Sequence, residues 1–249
     1  MRFIIYGAGG VGGTIGAELF MSGEDTVLIA RGAHLRAIQQ NGLRYMTPYR
    51  QETLQIRSVG HPDQIEFLKD DIIILTVKSQ HTLGALEDLR AVAGDNIPII
   101  CCQNGVANEA MALRRFNRVY AMAVYLPGEL LVPGEVRCHS IKKIGILDAG
   151  VYPHGTDDLI TEVAAQLEKA NIVSVPTANT MAWKYAKLVI NTGNSLGAAF
   201  PKGTDTKALR ERLNAEAFAT FDAAGIDYKT LEDMRERRKG LMETGEIDG

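Results

Sequence analysis

The residues best suited to chemistry lie far apart along the chain. Near the start, Gly7-Ala8-Gly9-Gly10-Val11-Gly12 fits G-x-G-x-x-G between a short apolar run and a helix-like segment. Gly7 permits a tight turn, Gly9 lets the backbone approach a pyrophosphate, and Gly12 allows a helix to pack closely on a strand. The first N–H groups of that helix then face an anion. Gly13 and Gly16 keep the helix slim against the sheet. The plainer reading is a merely tight turn. Nineteen residues beyond Gly12, where an acid would grip the ribose 2′-hydroxyl of NAD, stands Arg31. A guanidinium suits a 2′-phosphate, so the expected cofactor is NADP(H), against the plainer reading of a surface arginine after a strand. Much later, Lys187, Asn191, Asn194 and Ala198 recur at i, i+4, i+7 and i+11 and share one helix face. That stripe suits an oxygen-rich substrate. A lysine ammonium beside a ketone can polarise the carbonyl and protonate the developing alkoxide, and burial would bring its pKa toward the working range. Lys184, one turn earlier, competes for the role. The bland alternative is a snorkelling lysine with asparagines that cap or bend the helix.

These residues need a scaffold. Phe3–Tyr6, Thr26–Ala30, Asp71–Val77 and Ile97–Cys101 are short runs rich in Ile and Val, the pattern of strands buried on both faces. Helix candidates over Val11–Met21, Ala33–Gln40 and Gln80–Ala91 alternate with them, which implies right-handed crossovers and a parallel sheet. Leu43–Met46 and Thr53–Ser58 read as an inserted hairpin. Runs at 119–124, 135–138 and 143–146 read as strands that extend the sheet or cap its edge. Asp158–Lys169 reads as a helix and Ile172–Val175 as a last strand. Beyond Pro176 only helices are expected: Met181–Ala199, Asp205–Ala224, closed by Gly225, and Tyr228–Lys239. The expected fold class is therefore α/β, an N-terminal Rossmann-like doubly wound sheet over residues 1–172 with a C-terminal all-α domain over 173–249. Ligands in such sheets lie outside the carboxyl ends of the strands, which places Lys78 and Asn104 in the cleft unless they are ordinary loop residues.

Composition sets limits. The 249 residues are 46% hydrophobic and 23% charged, with a net charge of −3. That excludes a disordered chain, a coiled coil and a strongly basic nucleic-acid scaffold. No apolar run reaches the ~20 residues of a membrane helix, and no targeting segment is expected before Arg2. Three cysteines, two of them neighbours, make no disulfide framework, and a cytoplasmic setting fits. Cys101-Cys102 is not a chelating spacing and the five histidines are scattered in expected surface or loop positions, so no metal is expected.

The set resembles the ketopantoate reductase (2-dehydropantoate 2-reductase) family. The glycine loop, Arg31, Thr-Val-Lys78, Gln-Asn104-Gly105 and the aromatic-x-Lys187-Leu-x-x-Asn191 segment carry the resemblance. So does Thr244-Gly245-Glu246-Ile247-Asp248, similar to a late T-E-I-D with one residue inserted. The resemblance implies NADPH-dependent reduction of 2-dehydropantoate to (R)-pantoate in pantothenate biosynthesis, with Lys187 as general acid. By it, Asn104, Lys187, Asn191, Asn194 and Glu216 would bind substrate, and Lys78, Asn104 and Glu246 would join the glycine loop (Gly7, Ala8, Gly9, Gly10, Val11, Gly12) and Arg31 at the cofactor. The partners implied are a small-molecule 2-oxo acid and a homodimer as the assembly to test, with neither nucleic acid nor membrane. The sequence departs from the family's pattern in three places. Asn191-x-x-Asn194 is one residue short, Asp233 and Met234 stand where a substrate-binding serine is usual, and the chain ends at Gly249 where the family continues, as in a short or truncated variant. The competing readings are a reductase of a different 2-oxo acid, a non-catalytic NADP-binding sensor or interaction module, and an opine-type dehydrogenase.

Overall fold

The structure, a computed structural model that describes residues 1–247, is built around a seven-stranded sheet in the order β11-β8-β7-β6-β1-β2-β5. Its strands are β1 (Arg2–Tyr6), β2 (Asp25–Ile29), β5 (Arg57–Val59), β6 (Asp71–Leu75), β7 (Ile99–Cys101), β8 (Val119–Tyr125) and β11 (Ile146–Val151). All pair in parallel except β11, which runs antiparallel to β8. The apolar runs are buried on both faces because successive side chains point to opposite sides. Phe3, Ile5, Ile72 and Ile74 enter one core, and Ile4, Tyr6, Ile73 and Leu75 the other. Helices α1 (Gly10–Met21), α2 (Gly32–Asn41), α3 (Thr82–Ala93), α4 (Asn108–Leu113) and α5 (Asp158–Lys169) flank this sheet. Asp157 caps α5 by accepting from the Ile160 amide at 2.9 Å.

The inserted hairpin turns out differently from expectation. Its arms are β3 (Leu43–Thr47) and β4 (Arg50–Leu54), while Arg57–Val59 leaves it to pair with β2. The hairpin joins a second sheet, β4-β3-β10-β9, made with β9 (Gly128–Glu129) and β10 (Glu135–Cys138). The 135–138 run therefore pairs in parallel with β3 rather than extending the main sheet. α1 lies between the two sheets, and its glycines face both. A Cβ on Gly16 would sit 2.5 Å from Leu28, and one on Gly13 would sit 2.7 Å from Val136 of β10.

Two further strand expectations are corrected. The 143–146 run starts its strand only at Ile146. Around 172–175 only isolated bridges to β11 form, at Val173 and Pro176, because side chains interrupt the ladder between them: Asp148 accepts from the Val175 amide at 3.0 Å and Ser174 donates to the Leu147 carbonyl at 2.6 Å. Helix α4 went unanticipated. The last helices are α6 (Thr180–Ala199), α7 (Lys207–Ala223) and α8 (Leu231–Arg238). Gly225 follows α7 at φ 64°, with the Ile226 amide bonded back to Phe221. Among the described residues no helix is long and apolar enough to cross a membrane.

α8 is tied to the edge of the main sheet by a bidentate pair. Arg237 donates from Nε and Nη2 to Asp148 at 2.7 Å each, beside a small core of Tyr125, Ile146, Val173, Ala186 and Met234. Replacing Arg237 with alanine leaves a carboxylate buried without its cation, a loss of about 3 kcal/mol and roughly 6–12 °C in Tm. A thermal melt of Arg237→Ala checks this, and in the double variant with Asp148→Ala the loss is smaller than the sum of the two.

Candidate active site

The strand ends converge as the glycine pattern requires. Gly7 adopts φ 110°, and its amide and that of Ala8 both donate to the Ile29 carbonyl. A Cβ on Gly12 would lie 2.4 Å from the Gly7 carbonyl and from Thr76 Oγ1, so only hydrogen fits where helix crosses strand. Thr76 Oγ1 sits within hydrogen-bond distance of the Tyr6 and Gly7 carbonyls and holds the turn from beneath. Gly9 is different, since a Cβ there would meet nothing within 4 Å and the loop is open at that point. No side chain caps α1 and its first turn carries no acid, so its N-terminal amides face outward.

Two adjoining clefts meet at this loop. One, of about 690 Å³, runs from Gly7–Gly9 past Ala30, Arg31 and His34 to Lys78. The other, of about 580 Å³, runs from Gly9–Gly12 past Lys78 to Asn104, Val124 and Gly128–Leu130. They share Gly9, Thr76–Lys78, Gln80 and Leu130 and form one groove. Gly10 and Gly128 face each other across it so closely that a Cβ on either would strike the other's carbonyl oxygen at 2.5–2.6 Å. The residues present fit a dinucleotide: an open loop, an uncapped helix end, and two exposed cations, Arg31 and Lys78, along the groove.

Beyond Asn104 lies a narrow recess lined by Gln103, Asn104, Gly105, Val124, Lys184, Lys187, Leu188 and Asn191. Lys187 is half-buried there. It donates to Asn104 Oδ1 at 2.8 Å and to the Val124 carbonyl, and its Nζ lies 5.0 Å from the centre of the Tyr125 ring. Burial, and next the charge of Lys184, lower its pKa from the ordinary lysine value to about 8.

Lys184 has another task. It is 4% exposed, and its ammonium lies 2.6 Å from Glu109 and donates to the carbonyls of Cys101, Gln103 and Met122. Its donors are spent on Glu109, on the end of β7 and the turn beyond it, and on the middle of β8. The loop bearing Asn104 is fixed by a second buried set. Gln103 donates to the Val77 carbonyl and to Thr82, Thr82 to Asn108, and Asn108 to the Asn104 carbonyl. Glu109, Thr82 and Asn108 went unremarked in the sequence, and Gln103 was named only within Gln-Asn104-Gly105, since nothing there distinguishes a buried polar residue from a loop one. A short helix beginning Asn-Glu just after the Gln-Asn-Gly was the available signal.

The remaining expectations divide. The structure brings Gly7–Gly12, Arg31, Lys78, Asn104, Lys187 and Asn191 to one groove and its recess. Asn194 and Glu216 are exposed on α6 and α7 and line neither. The Glu216 backbone carbonyl accepts from Thr220 Oγ1 at 2.8 Å. Glu246 is exposed and also lines neither; its neighbour Gly245 donates to the His139 carbonyl, and His139 Nε2 lies 3.0 Å from Glu129, which does line the groove. Asp248, the end of the T-E-I-D-like segment, lies outside the described residues. Asp233 is not an acid facing a substrate: it closes the capping box of α8 with Thr230, whose backbone amide first holds its carboxyl below the usual range, and Met234 is buried against Tyr125. The histidines are not all surface or loop residues either, since His34 is buried on α2.

The sequence profile described as ketopantoate reductase PanE/ApbA matches residues 3–149. The chain belongs to that family. Among its relatives, a 2-dehydropantoate 2-reductase of Pyrococcus horikoshii is 32% identical over 80% of this chain and 64% of its own length, so the chain spans less than two thirds of that relative. A 2-dehydropantoate 2-reductase of Pyrococcus abyssi is 26% identical over 98% of this chain and 84% of its own. A PanE/ApbA family ketopantoate reductase structure from Ralstonia eutropha superposes with a TM-score of 0.80 at 26% identity, covering 98% of this chain and 83% of that one. The two-part ketopantoate reductase fold, a nucleotide-binding sheet followed by helices, is thus the fold of this chain.

The two lysines separate by experiment. Lys184→Ala leaves Glu109 buried without its cation and lowers stability by about 3–5 kcal/mol, seen as a large fall in Tm. Lys187→Ala removes a half-buried group at the edge of the groove and leaves Tm within a few degrees of the parent.

Proposed function

We propose that this chain reduces 2-dehydropantoate (ketopantoate) to (R)-pantoate with NADPH. The observation that carries the reading is the Lys187 ammonium, held by Asn104 and Val124 at the far end of the groove that begins at the glycine loop and Arg31. The names of the relatives support the same reading.

The α1 N-terminus and the Gly9 opening would receive the pyrophosphate, and Arg31 and Lys78 would supply positive charge for the 2′-phosphate and the neighbouring phosphates. When bound, the nicotinamide supplies a hydride. The residues of the recess supply the rest. An ammonium carries three N–H donors; two of those on Lys187 go to protein oxygens, which leaves one for the oxygen of a ketone. Lys187 would polarise that carbonyl and then give the alkoxide its proton, becoming a neutral amine. Asn104 orients the donor, and Asn191, one turn further along α6 on the same face, adds an amide for the substrate's other oxygens.

The second reading, a reductase of another 2-oxo acid, is favoured by one observation. At the place of the expected serine, Asp233 is committed to a helix cap and Met234 to the core, so neither offers a hydroxyl to a substrate carboxylate. Loss of NADPH absorbance on adding ketopantoate, measured beside a panel of branched 2-oxo acids, decides between the two. NADPH binding without oxidation by any ketone would leave only a cofactor-binding module.

Lys187→Ala lowers kcat by about 10²–10⁴-fold while NADPH still binds. Because the ammonium is the active form and its pKa is pushed down to about 8, kcat/KM holds below that pH and falls as pH rises through it. A pH–rate profile checks this, and a rate that keeps climbing above pH 8 removes Lys187 as proton donor. Arg31→Ala weakens NADPH by about 10–100-fold and leaves NADH nearly unchanged, read by comparing KM for the two cofactors.

A further inference from the structure

We infer that His34 is a positioning residue for the cofactor, acting by fastening the glycine loop to the segment 128–134 that forms the opposite wall of the groove. The inference rests on the reading of that groove as a dinucleotide site. His34 sits in the first turn of α2 and is 9% exposed, while Gly32 and Ala33 beside it are exposed. Its Nε2 lies 2.7 Å from the Ala8 carbonyl, and its Nδ1 lies 2.8 Å from the Gly134 amide nitrogen. An amide N–H only donates, so Nδ1 accepts. The neutral ring then carries its proton on Nε2 and donates it to Ala8. One imidazole thus joins the glycine loop, 26 residues before it, to Gly134, 100 residues after it.

The two pieces are the two sides of the groove. Ala8 belongs to the glycine loop. Gly134 ends the connection from β9 to β10, whose residues Gly128, Glu129 and Leu130 line the groove. That connection is held at its near end by the backbone contact of Gly128 with Gly10, and at its far end by His34 and by the Arg44 amide, which donates to the Gly134 carbonyl. Between these ends Leu130, Leu131 and Val132 are exposed apolar residues, and Leu130 faces both halves of the groove. The imidazole sets how far the span stands from the loop on the Arg31 side, where the cofactor's phosphorylated end would lie.

The link works only with a neutral ring. A protonated ring would turn an N–H toward the Gly134 N–H, and the bond would be lost. Burial holds the His34 pKa below its ordinary value, opposed by the bond to Ala8. The other charged or titratable groups around it are Arg31, the residue just before its helix, Tyr6, Lys78, His61, His81 and Asp88 across the cleft, and Glu135 beside Gly134, which Arg44 and Arg137 engage. Since the folded pKa is lowered, the link is intact above the ordinary imidazole range and is lost as pH falls through the lowered value.

The test uses the full chain with NADPH as the probe. Binding is followed by cofactor fluorescence, and kcat is taken at saturating NADPH with the best 2-oxo acid. His34→Leu should raise Kd and KM for NADPH by about tenfold or more, with kcat within about threefold. His34→Asn keeps an acceptor for Gly134 but cannot take up a proton. Between about pH 8 and 5.5 it should lose less affinity than the wild type. The ratio of the two profiles removes the contributions of the 2′-phosphate, His61 and His81. If His34→Leu fails to fold, as judged by circular dichroism, the asparagine variant carries the test alone. A leucine variant with Kd within twofold of wild type, a fall in kcat at unchanged Kd, or superimposable pH profiles for wild type and His34→Asn would each overturn the inference. A wild type that binds no NADPH would overturn the dinucleotide reading itself, and the inference with it.

Discussion

The place of Lys187, the proposed proton donor, depends on a second lysine whose ammonium is committed to protein acceptors. Lys184 is surrounded by the Glu109 carboxylate and three backbone carbonyls, of Cys101 at the end of β7, Gln103 just beyond it and Met122 within β8. A buried ammonium tolerates few geometries, because each lost acceptor exposes a charge to a medium that cannot solvate it. That requirement fixes both the height and the rotation of α6 on the sheet. Lys187 stands three residues on, on nearly the same face, and so meets Asn104 and Val124 without any adjustment of the backbone. The same charge lowers the Lys187 pKa, second only to burial. Lys184 therefore bears on both the position and the acidity of its neighbour, beside which it lines the recess.

The groove owes its shape to hydrogen atoms where other residues carry side chains. α1 is pressed between two sheets, and Gly12, Gly13 and Gly16 are the faces through which it touches them. At its N-terminus Gly10 meets Gly128, so the wall supplied by the second sheet rests directly on the loop supplied by the first. The second sheet is thus part of the site, although the first alone carries the glycine pattern. Its own anchor is polar. Glu18 of α1 accepts from Tyr45 of β3 and Arg50 of β4 at 2.6–2.7 Å beneath the hairpin. Burial raises the Glu18 pKa, and these two donors oppose the rise.

What the sequence made legible follows from the range over which each signal acts. The parallel strands, α1, α5 and α6 came through because burial on two faces or one leaves a period of two or 3.6 in the residues themselves. The glycine loop, Arg31 and Lys187, which the structure brings to one groove and its recess, stood out as candidates because each is marked by local context: a turn after a strand, a strand end, a helix stripe. The second sheet did not, because Glu135–Cys138 pairs with Arg44–Met46 across some ninety residues and no local pattern marks that choice. The 172–175 segment failed as a strand because Asp148 and Ser174 supply bonds a ladder would have supplied. Lys184 and Lys187 looked alike in the sequence; only the buried Glu109, on a helix too short to have a period, tells them apart. His34 was passed over for a similar reason, since the two groups it bonds lie 26 and 100 residues away.

The charge of the chain does not contradict a site for anions. The net charge of −3 is a sum over the whole chain, whereas binding answers to the local field inside a low-dielectric cleft. Along the groove the N-terminus of α1, Arg31, Lys78 and Lys187 are positive, and Glu129 and Asp88 are the acids among the lining residues. Glu129 is turned toward His139, and Asp88 lies 3.5 Å from His61, so each acid has a partner outside the line of cations. Tyr125 adds a neutral element at the far end, its ring shared by Lys187 and Arg238, whose centres lie 5.0 and 5.6 Å from its own. The ring holds two cations near each other without neutralising either one. An anionic substrate entering the recess would therefore meet cations already in place, and its own charge would favour the protonated form of Lys187 on which proton donation depends.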